Sequence, residues 1–248
     1  MEMIRTVAKA WNIPDIRKKI IFTLVMLLIF RIGSQIPVPG IDRDILAQTF
    51  DSGTGLFALF NLFSGGAFSN FTIFALSITP YITASIILQL LTIAVPSLER
   101  LAKEGTEGRK KIAQYTRYLT VILAIIQAIG VSVGLFRQAL ISTSFFDVAV
   151  IVLVLTAGTA FLMWLGEQIN EYGIGNGISL IIFAGIVSRL PSAVQEIWTK
   201  LQDGSMSIGT LIIFLIFCVL VIVGIIEVQQ GQRRIPVQYA KRVVGRKM

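Results

Sequence analysis

The fold of this chain follows from the stretch Leu56-Phe57-Ala58-Leu59-Phe60-Asn61-Leu62-Phe63-Ser64-Gly65-Gly66, which precedes a long apolar segment, Phe71 to Val95. The eight residues before Ser64 form roughly 12 Å of helix, whereas a bilayer core of about 30 Å requires about 20 residues. Backbone that ends at membrane depth is tolerated only inside protein or beside a water-filled cavity. We therefore predict a re-entrant half-helix, about 54–68, that lines a pore or a binding site. An amphipathic helix on the outer surface is the alternative.

Composition places the chain in a membrane. Hydrophobic residues make up 54% of the 248 residues and charged residues 15%, and the mean hydropathy is +0.78. This leaves too little polar surface to cover a soluble globule of this length. The chain has no His, and its one Cys, Cys218, lies inside an apolar run. A disulfide or a Cys/His metal site within the chain is therefore excluded, and we expect no cofactor.

Six apolar segments are long enough, or nearly so, to span a bilayer, which predicts an all-α polytopic membrane helix bundle over residues 20–228. The predicted spans are 20–36, 71–95, 119–135, 148–165, 178–190 and 208–228. Residues 1–19 resemble the basic start of a signal peptide, but no cleavage site follows, so the first span is expected to be retained. On this topology the side with both termini holds 17 Lys and Arg residues and the other side four. This asymmetry predicts that residues 1–19 and 229–248 are cytosolic.

The second predicted span has one face that changes character along its length. Its residues are Ile78, Ile82, Ser85 and Gln89, at the i, i+4, i+7, i+11 spacing of a helix face. The face is apolar at its outer part and polar toward the cytosol, as a vestibule closed by an apolar constriction requires. Ile178 and Ile182 repeat the isoleucine pair in the fifth span. The two pairs are expected to form facing rims, and ordinary helix packing is the alternative.

Two features near helix ends are interpreted as structural. Arg31 lies near the outer end of the first span, where we expect its side chain to reach outward to water together with Ser34 and Gln35. The stretch 173–177 has the pattern Gly-x-Gly-x-Gly, but no strand precedes it, so it is not a dinucleotide-binding loop. We predict a tight turn there, with Asn176 capping the helix that follows.

The last residues of the sequence are basic and lack the apolar spacing of a helix. Its basic residues are Arg233, Arg234, Lys241, Arg242, Arg246 and Lys247. Apolar and other residues alternate over 235–240, which predicts an exposed extended arm. Such an arm suits an anionic partner such as ribosomal RNA, an acidic protein or lipid head groups.

Motifs along nearly the whole chain resemble the bacterial SecY family, the central subunit of the protein-conducting channel. They are Phe30-Arg31-Ile32-Gly33, Ile36-Pro37-Val38-Pro39-Gly40, Ser64-Gly65-Gly66-Ala67, Thr79-Pro80-Tyr81-Ile82-Thr83-Ala84-Ser85, Gly108-Arg109-Lys110-Lys111, Gln114-Tyr115-Thr116-Arg117-Tyr118, Phe161-Leu162-Met163-Trp164-Leu165-Gly166-Glu167-Gln168, Gly173-Ile174-Gly175-Asn176-Gly177-Ile178-Ser179 and Gln238-Tyr239-Ala240-Lys241-Arg242.

The resemblance implies roles for the residues already singled out. The half-helix would be the plug that seals the channel, with residues Leu56, Phe57, Phe60, Asn61, Phe63, Ser64, Gly65 and Gly66. The four isoleucines Ile78, Ile82, Ile178 and Ile182 would belong to a hydrophobic pore ring. Thr83, Gln89 and Gln127 would lie near the lateral gate, through which signal sequences and membrane helices leave for lipid. The basic residues of 233–247 would contact the SecA motor or the ribosome.

The resemblance also implies a location, partners and a missing part. The resemblance implies a passive conduit in the bacterial plasma membrane that carries polypeptides with signal sequences. SecE and SecG would be its accessory subunits, and an ATPase motor or the translating ribosome would drive it. Anionic lipids are also expected partners. Family members have ten spans in two inverted five-helix halves, whereas this chain stops after the sixth predicted span. We therefore expect a fragment or a split chain that requires the C-terminal half.

Other functions are weighed from the residues. An intramembrane enzyme needs a nucleophile with a base, or a metal cluster, inside the membrane. The chain has no His, and we expect Glu167 in a loop and Glu227 at the cytosolic end of span six, so no carboxylate is clearly inside a span. An enzyme is therefore not expected. A secondary transporter stays an alternative because transporters also break helices at glycines. A membrane insertase scaffold without a pore is a further alternative.

Overall fold

The structure is a computed structural model that describes residues 13–42, 45–46, 61–62, 64–142 and 144–232. Its helices are α1 (Pro14–Gly33), α2 (Thr79–Ala94), α3 (Pro96–Lys103), α4 (Thr106–Ile129), α5 (Phe145–Tyr172), α6 (Gly177–Val187), α7 (Leu190–Gln202) and α8 (Ile208–Gln230). A π-helical stretch, Gly130–Leu135, continues α4, and a 3-10 turn, Arg137–Ala139, follows it. The β pairing in the described ranges consists of two isolated bridges, Pro37 with Thr72 and Ile41 with Leu140. The prediction of an all-α fold is confirmed.

The chain divides into two compact units, Met1–Pro191 and Ser192–Met248. In the first unit α5 is the central helix, because α1, α2, α4 and α6 all pack against it. It contributes eleven buried residues to the core. In the second unit α8 has no buried residue and is apolar over almost its whole length. A helix that is apolar on every side is expected in lipid or against other membrane helices.

Four helical segments of the described ranges are long and apolar enough to cross a bilayer. They are Thr106–Gly134, Phe145–Tyr172, Gly177–Gln202 and Ile208–Gln230. A fifth span results if α2 and α3, which meet at an angle of 101°, are counted as one. The helix α1 does not qualify, since five of its 20 residues are charged. The chain is a multi-pass helical membrane protein, and the count of six spans stays a prediction.

The first unit has two apolar cores, one at each half of α5. Ile151, Val152 and Leu155 of α5 pack with Phe68, Phe71 and Phe136 in the first core. In the second core Leu162, Leu165 and Ile169 of α5 pack with Phe30, Phe74, Ile78 and Ile181. Both cores thus take aromatic or branched residues from the segment that precedes α2, which fixes that segment inside the bundle.

The second predicted span differs from its prediction at its start. We expected an apolar helix from Phe71, but residues 64–78 form turns and α2 begins at Thr79. Pro80 explains the boundary, because proline lacks the backbone donor of a helix interior and its ring clashes with the preceding turn. Proline is favoured in the first turn of a helix, which is its position in α2.

Two further segments are more helical than predicted. The charged stretch 97–116, which lies between the second and third predicted spans, forms α3 and the start of α4, joined at Glu104-Gly105. Gly108 permits the tight turn, since a Cβ there would lie 1.7 Å from the Leu101 carbonyl oxygen. Glu167, expected in a loop, lies in the last turns of α5. Its carboxylate accepts from Arg117 Nε of α4 at 2.7 Å.

Candidate functional site

The segment Ser64–Ile78 is an irregular stretch of backbone buried inside a helical membrane protein. Most of its residues are buried, and three phenylalanines, Phe68, Phe71 and Phe74, enter the two cores. Irregular backbone at membrane depth requires internal partners for its N–H and C=O groups. The segment therefore has a dense set of short-range hydrogen bonds, and it is the candidate functional site of this chain.

The exit of α1 supplies the longer-range partners. Val38 N donates to Phe71 O at 3.0 Å, and Ile73 N donates to Ile36 O at 3.0 Å. These bonds form the antiparallel bridge between Pro37 and Thr72. The proline-containing exit of α1 thus supplies backbone partners for the irregular segment.

Asn61 and Ser64 organise the turn at the Gly-Gly hinge, defined here as Ser64-Gly65-Gly66. Gly66 N donates to Asn61 O at 3.0 Å, and Ser69 N donates to Asn61 Oδ1 at 3.1 Å. Phe68 N donates to Ser64 Oγ at 3.0 Å. Gly65 and Gly66 have φ angles of +63° and +92°, a region that favours glycine. The hinge is therefore a defined turn held by backbone and side-chain hydrogen bonds.

The hinge packs directly against the end of α6. A Cβ on Gly65 would lie 2.8 Å from Gly185 Cα, so the two backbones touch. Arg31 Nη1 donates to Gly65 O and to Ser188 Oγ, both at 3.2 Å. The Arg189 guanidinium lies beside Gly66, its Nη2 3.1 Å from the place a Cβ would take. Arg31, Arg189 and the backbone of Gly185 thus surround the hinge.

Arg31 has partners that its position near a helix end does not indicate. Its half-buried side chain donates to a backbone carbonyl and a hydroxyl of neighbouring segments. Ser34, expected to accompany it, is buried and donates to Arg31 O at 2.7 Å. The physical reason is that the irregular segment carries a carbonyl in need of a donor at the depth of Arg31.

Strained backbone marks the irregular segment beyond its glycines. Phe71 and Ser77 have φ angles of +43° and +53°, and both side chains are buried. Residues other than glycine adopt a positive φ at a cost of about 1–3 kcal/mol each, and such residues cluster at functional sites. Packing of the phenylalanines holds the segment in this conformation.

The ring of Phe74 fastens the segment between α1 and α5. It stacks on Phe30 and Phe161 at centroid distances of 6.1 Å and 6.0 Å. Gly33 makes room for the ring, since a Cβ there would lie 2.1 Å from a Phe74 ring carbon. Gly158 makes room for the backbone, since its Cβ would lie 1.9 Å from Ile73 O. The two glycines explain how a helix bundle accommodates a buried turn segment.

The four isoleucines predicted for the pore ring have different environments. Ile78 is 1% exposed and belongs to the core with Ile181, whereas Ile82 is 37% exposed. Ile178 and Ile182 are half-buried, and Ile178 packs on the same core. Ile78, the residue before α2, and Ile181 of α6 thus share one core, and Ile82 is the most accessible of the four.

The residues predicted for the lateral gate lie on a packed helix pair. Thr83 and Gln89 belong to α2 and Gln127 to α4, and these two helices pack along each other. Thr83 Oγ1 donates to Thr79 O within its own helix at 3.0 Å. Gln89 is exposed and Gln127 is half-buried.

The turn between α5 and α6 has the predicted cap. Asn176 accepts from Ile178 N at 3.1 Å and Ser179 N at 3.3 Å. Two residues not anticipated from the sequence complete the turn. Thr23 Oγ1 of α1 accepts from Ile174 N at 3.1 Å, and Asn170 Oδ1 accepts from Gly177 N at 2.7 Å.

Other predicted site residues lie outside the described ranges. These are Leu56, Phe57, Phe60 and Phe63 of the predicted plug and Arg233, Arg234, Lys241, Arg242, Arg246 and Lys247 of the tail. Within the described part of the chain, no group of three or more acidic, Cys or His side chains is placed to hold a metal ion.

These features define a class: a multi-pass helical membrane protein with an irregular segment of backbone packed into the bundle ahead of one of its helices. A family model described as SecY matches residues 72–248. The chain is 51% identical to the protein translocase subunit SecY of Halalkalibacterium halodurans, covering 98% of this chain and 58% of the relative. It is 49% identical to that of Bacillus subtilis, covering 96% and 57%. The chain belongs to the SecY family.

Solved structures support the same fold. A structure of a protein-conducting channel matches with a TM-score of 0.56 and 23% identity, over 82% of this chain and 46% of that one. Sec61 in the canine ribosome-channel complex from the endoplasmic reticulum matches with a TM-score of 0.58 and 22% identity, over 90% and 50%. A structure concerning the SecY plug domain has a TM-score of 0.61 and 21% identity, over 84% and 46%. This chain spans little more than half the length of its curated relatives.

Proposed function

We propose that this chain supplies one side of a channel for unfolded polypeptides, which pass across the bacterial plasma membrane or leave sideways into lipid. The observation that carries the proposal is the buried irregular segment Ser64–Ile78, which is packed inside the bundle and takes the place of the start of the second predicted span. Such backbone is expected where it lines a cavity or a pathway. The relatives are translocase subunits, which supports the same class of function.

The half-helix before the hinge acts as the plug. Asn61 and Leu62, the described residues of that block, are helical, and the hinge that follows is held against α6. A plug must be seated in the resting channel and displaced by a passing polypeptide. A short hinge with a few specific contacts suits that requirement, because few interactions break when it moves.

The isoleucines form the constriction and α2 with α4 one side of the lateral gate. Ile82 is the accessible member of the ring in this half, with Ile178 and Ile182 beside it. Ile78 supports the ring from the core. Thr83, Gln89 and Gln127 face the seam through which signal sequences leave. Branched apolar side chains block ions by dewetting and offer a passing polymer no polar site.

Further segments and subunits complete the channel. The C-terminal half supplies the facing gate and the rest of the ring, and SecE and SecG clamp the assembly. The tail from Arg233 to Lys247 contacts the SecA motor or the ribosome, which supply the energy, and its charge also suits anionic lipids. A Sec61 relative of the same fold occurs in a ribosome-channel complex, which supports a ribosome contact. Both ends of this chain are cytosolic, as the charge asymmetry predicts.

Capture of a polypeptide in transit tests the proposal. Cys218 is replaced, and a single Cys is placed at Ile82 or at Ile216, a position of α8 that is 56% exposed. The complete channel is assembled, and a secretory polypeptide with one Cys is stalled in it. We expect disulfide capture from Ile82→Cys and none from Ile216→Cys. Absence of capture from Ile82→Cys, with insertion and assembly verified, contradicts the pore assignment and leaves the scaffold alternative.

A further inference from the structure

We propose that Arg31 is the latch that holds the Gly-Gly hinge in its resting position. The contact is made by one guanidinium nitrogen, Nη1, which lies 3.2 Å from Gly65 O and 3.2 Å from Ser188 Oγ. It therefore joins three segments: α1, the hinge and the end of α6. The role rests on the proposed function, since a latch on the hinge matters only if the plug must move.

The hydroxyl of Ser188 is oriented so that its oxygen can accept a hydrogen bond from Arg31. Ser188 Oγ donates to Gly185 O at 2.7 Å, so its own proton points back into α6. Its lone pairs are then available to accept from Arg31. Gly185 is also the residue whose Cα the hinge touches. The Arg31 contact thus lies directly beside the close approach of the two backbones.

Arg31 and Gly65 each satisfy a need of the other. Gly65 is buried, and among the described residues its carbonyl oxygen accepts a hydrogen bond from Arg31. A buried carbonyl without a donor is costly, and so is a cation in an apolar helix without acceptors. Movement of the hinge away from α1 and α6 leaves the Gly65 carbonyl without this donor and leaves Arg31 with Ser188 Oγ alone of these two acceptors. The contact therefore favours two discrete positions of the hinge, fastened and released, over a gradual displacement.

Hydrogen exchange at the hinge measures the latch without any need for transport. The complete channel is reconstituted in nanodiscs, and amide exchange is followed in peptides covering residues 62–77. For Arg31→Met we expect exchange of the hinge amides to be about tenfold faster, because the donor to Gly65 O is lost. Arg31→Lys should restore part of the protection, since an ammonium donates but lacks the planar fork of the guanidinium.

Arg137 provides the matched control. It is predicted to lie on the same side of the membrane, is exposed, and makes no side-chain hydrogen bond or ion pair to the described residues. Arg137→Met should leave hinge exchange unchanged. Peptides from the middle of α5 serve as an internal reference, because a general loosening of the bundle would raise their exchange as well.

The second readout is ion leak through the resting channel in vesicles. The latch account predicts about tenfold greater leak for Arg31→Met than for Arg137→Met, without loss of assembly. Unchanged hinge exchange overturns the latch, and so does equal acceleration in α5. Faster hinge exchange without added leak overturns its role in sealing. None of these outcomes depends on capture at Ile82, so failure of the latch and failure of the channel assignment are separately visible.

Discussion

A methyl group added at Gly65 should unseat the hinge far more than one added at its neighbour. In Gly65→Ala the new Cβ would lie 2.8 Å from Gly185 Cα, which is backbone and cannot rotate away. Overpacking of this kind costs about 1–3 kcal/mol, and the left-handed φ of +63° adds about 1–2 kcal/mol for a residue with a Cβ. The closed position should therefore lose about 2–5 kcal/mol, which is roughly a 30-fold shift at the lower limit.

Gly66→Ala is the matched control within the same hinge. Its φ of +92° imposes similar backbone strain, but the added Cβ would meet Arg189 Nη2 at 3.1 Å. That atom is the far end of a long side chain, which can shift at little cost. We therefore expect only the backbone term, about 1–2 kcal/mol.

Ion leak through the resting, fully assembled channel is the assay for this pair. Gly65→Ala should leak at least about fivefold more than Gly66→Ala, in proportion to the extra 1–3 kcal/mol. Thermal unfolding of the purified channel checks that both variants are assembled. Equal leak of the two variants, or greater leak of Gly66→Ala, would refute the reasoning that backbone contact with α6 seats the hinge.

Two further predictions concern the bundle and its capping. Gly158→Ala places a Cβ 1.9 Å from Ile73 O, so thermal unfolding should show a loss of about 1–3 kcal/mol, whereas Gly130→Ala, with open space around it, should cause no loss. Asn176→Ala removes the cap of α6 and should cost about 1 kcal/mol in the same measurement, with Asn176→Asp retaining most of the stability. A loss for Gly130→Ala equal to that for Gly158→Ala, or an unchanged Asn176→Ala, would contradict these assignments.

Features set by neighbouring residues could be predicted from the sequence. Apolar segments of span length predicted an all-α membrane bundle, because a bilayer selects helices by local composition. The Asn176 cap could be predicted for the same reason, since a cap and its donors lie within three residues. The turn at Gly65-Gly66 has a local origin as well, since glycine permits the positive φ that both residues adopt.

The start of α2 shows where hydropathy misleads. The run from Phe71 to Ile78 is as apolar as a membrane helix, but the bundle buries it as turns. Hydropathy reports burial and does not distinguish a buried turn from a helix. Its longer-range backbone partners, Ile36 and Val38, come from the exit of α1, which a local reading does not consider. Pro80 was the local signal that could have placed the boundary.

Arg31 could not be assigned from the sequence because its partners are distant. The acceptors Gly65 O and Ser188 Oγ are 34 and 157 residues away along the chain. A cation near a helix end usually extends to water, and only the packed fold reveals a buried carbonyl within reach. The burial of Ile78 is non-local in the same way, since Ile181 and Phe30 enclose it.

Single-channel conductance of the resting channel tests the central claim, that the half-helix before the hinge closes a pore to which this chain contributes. Residues 56–63 are deleted, Asn61 and Leu62 included, while the hinge and α2 are kept. In planar bilayers the complete unaltered channel should stay closed to ions, and the deletion variant should open frequently without any polypeptide present. A deletion variant that is properly assembled and stays as closed as the unaltered channel would contradict the account.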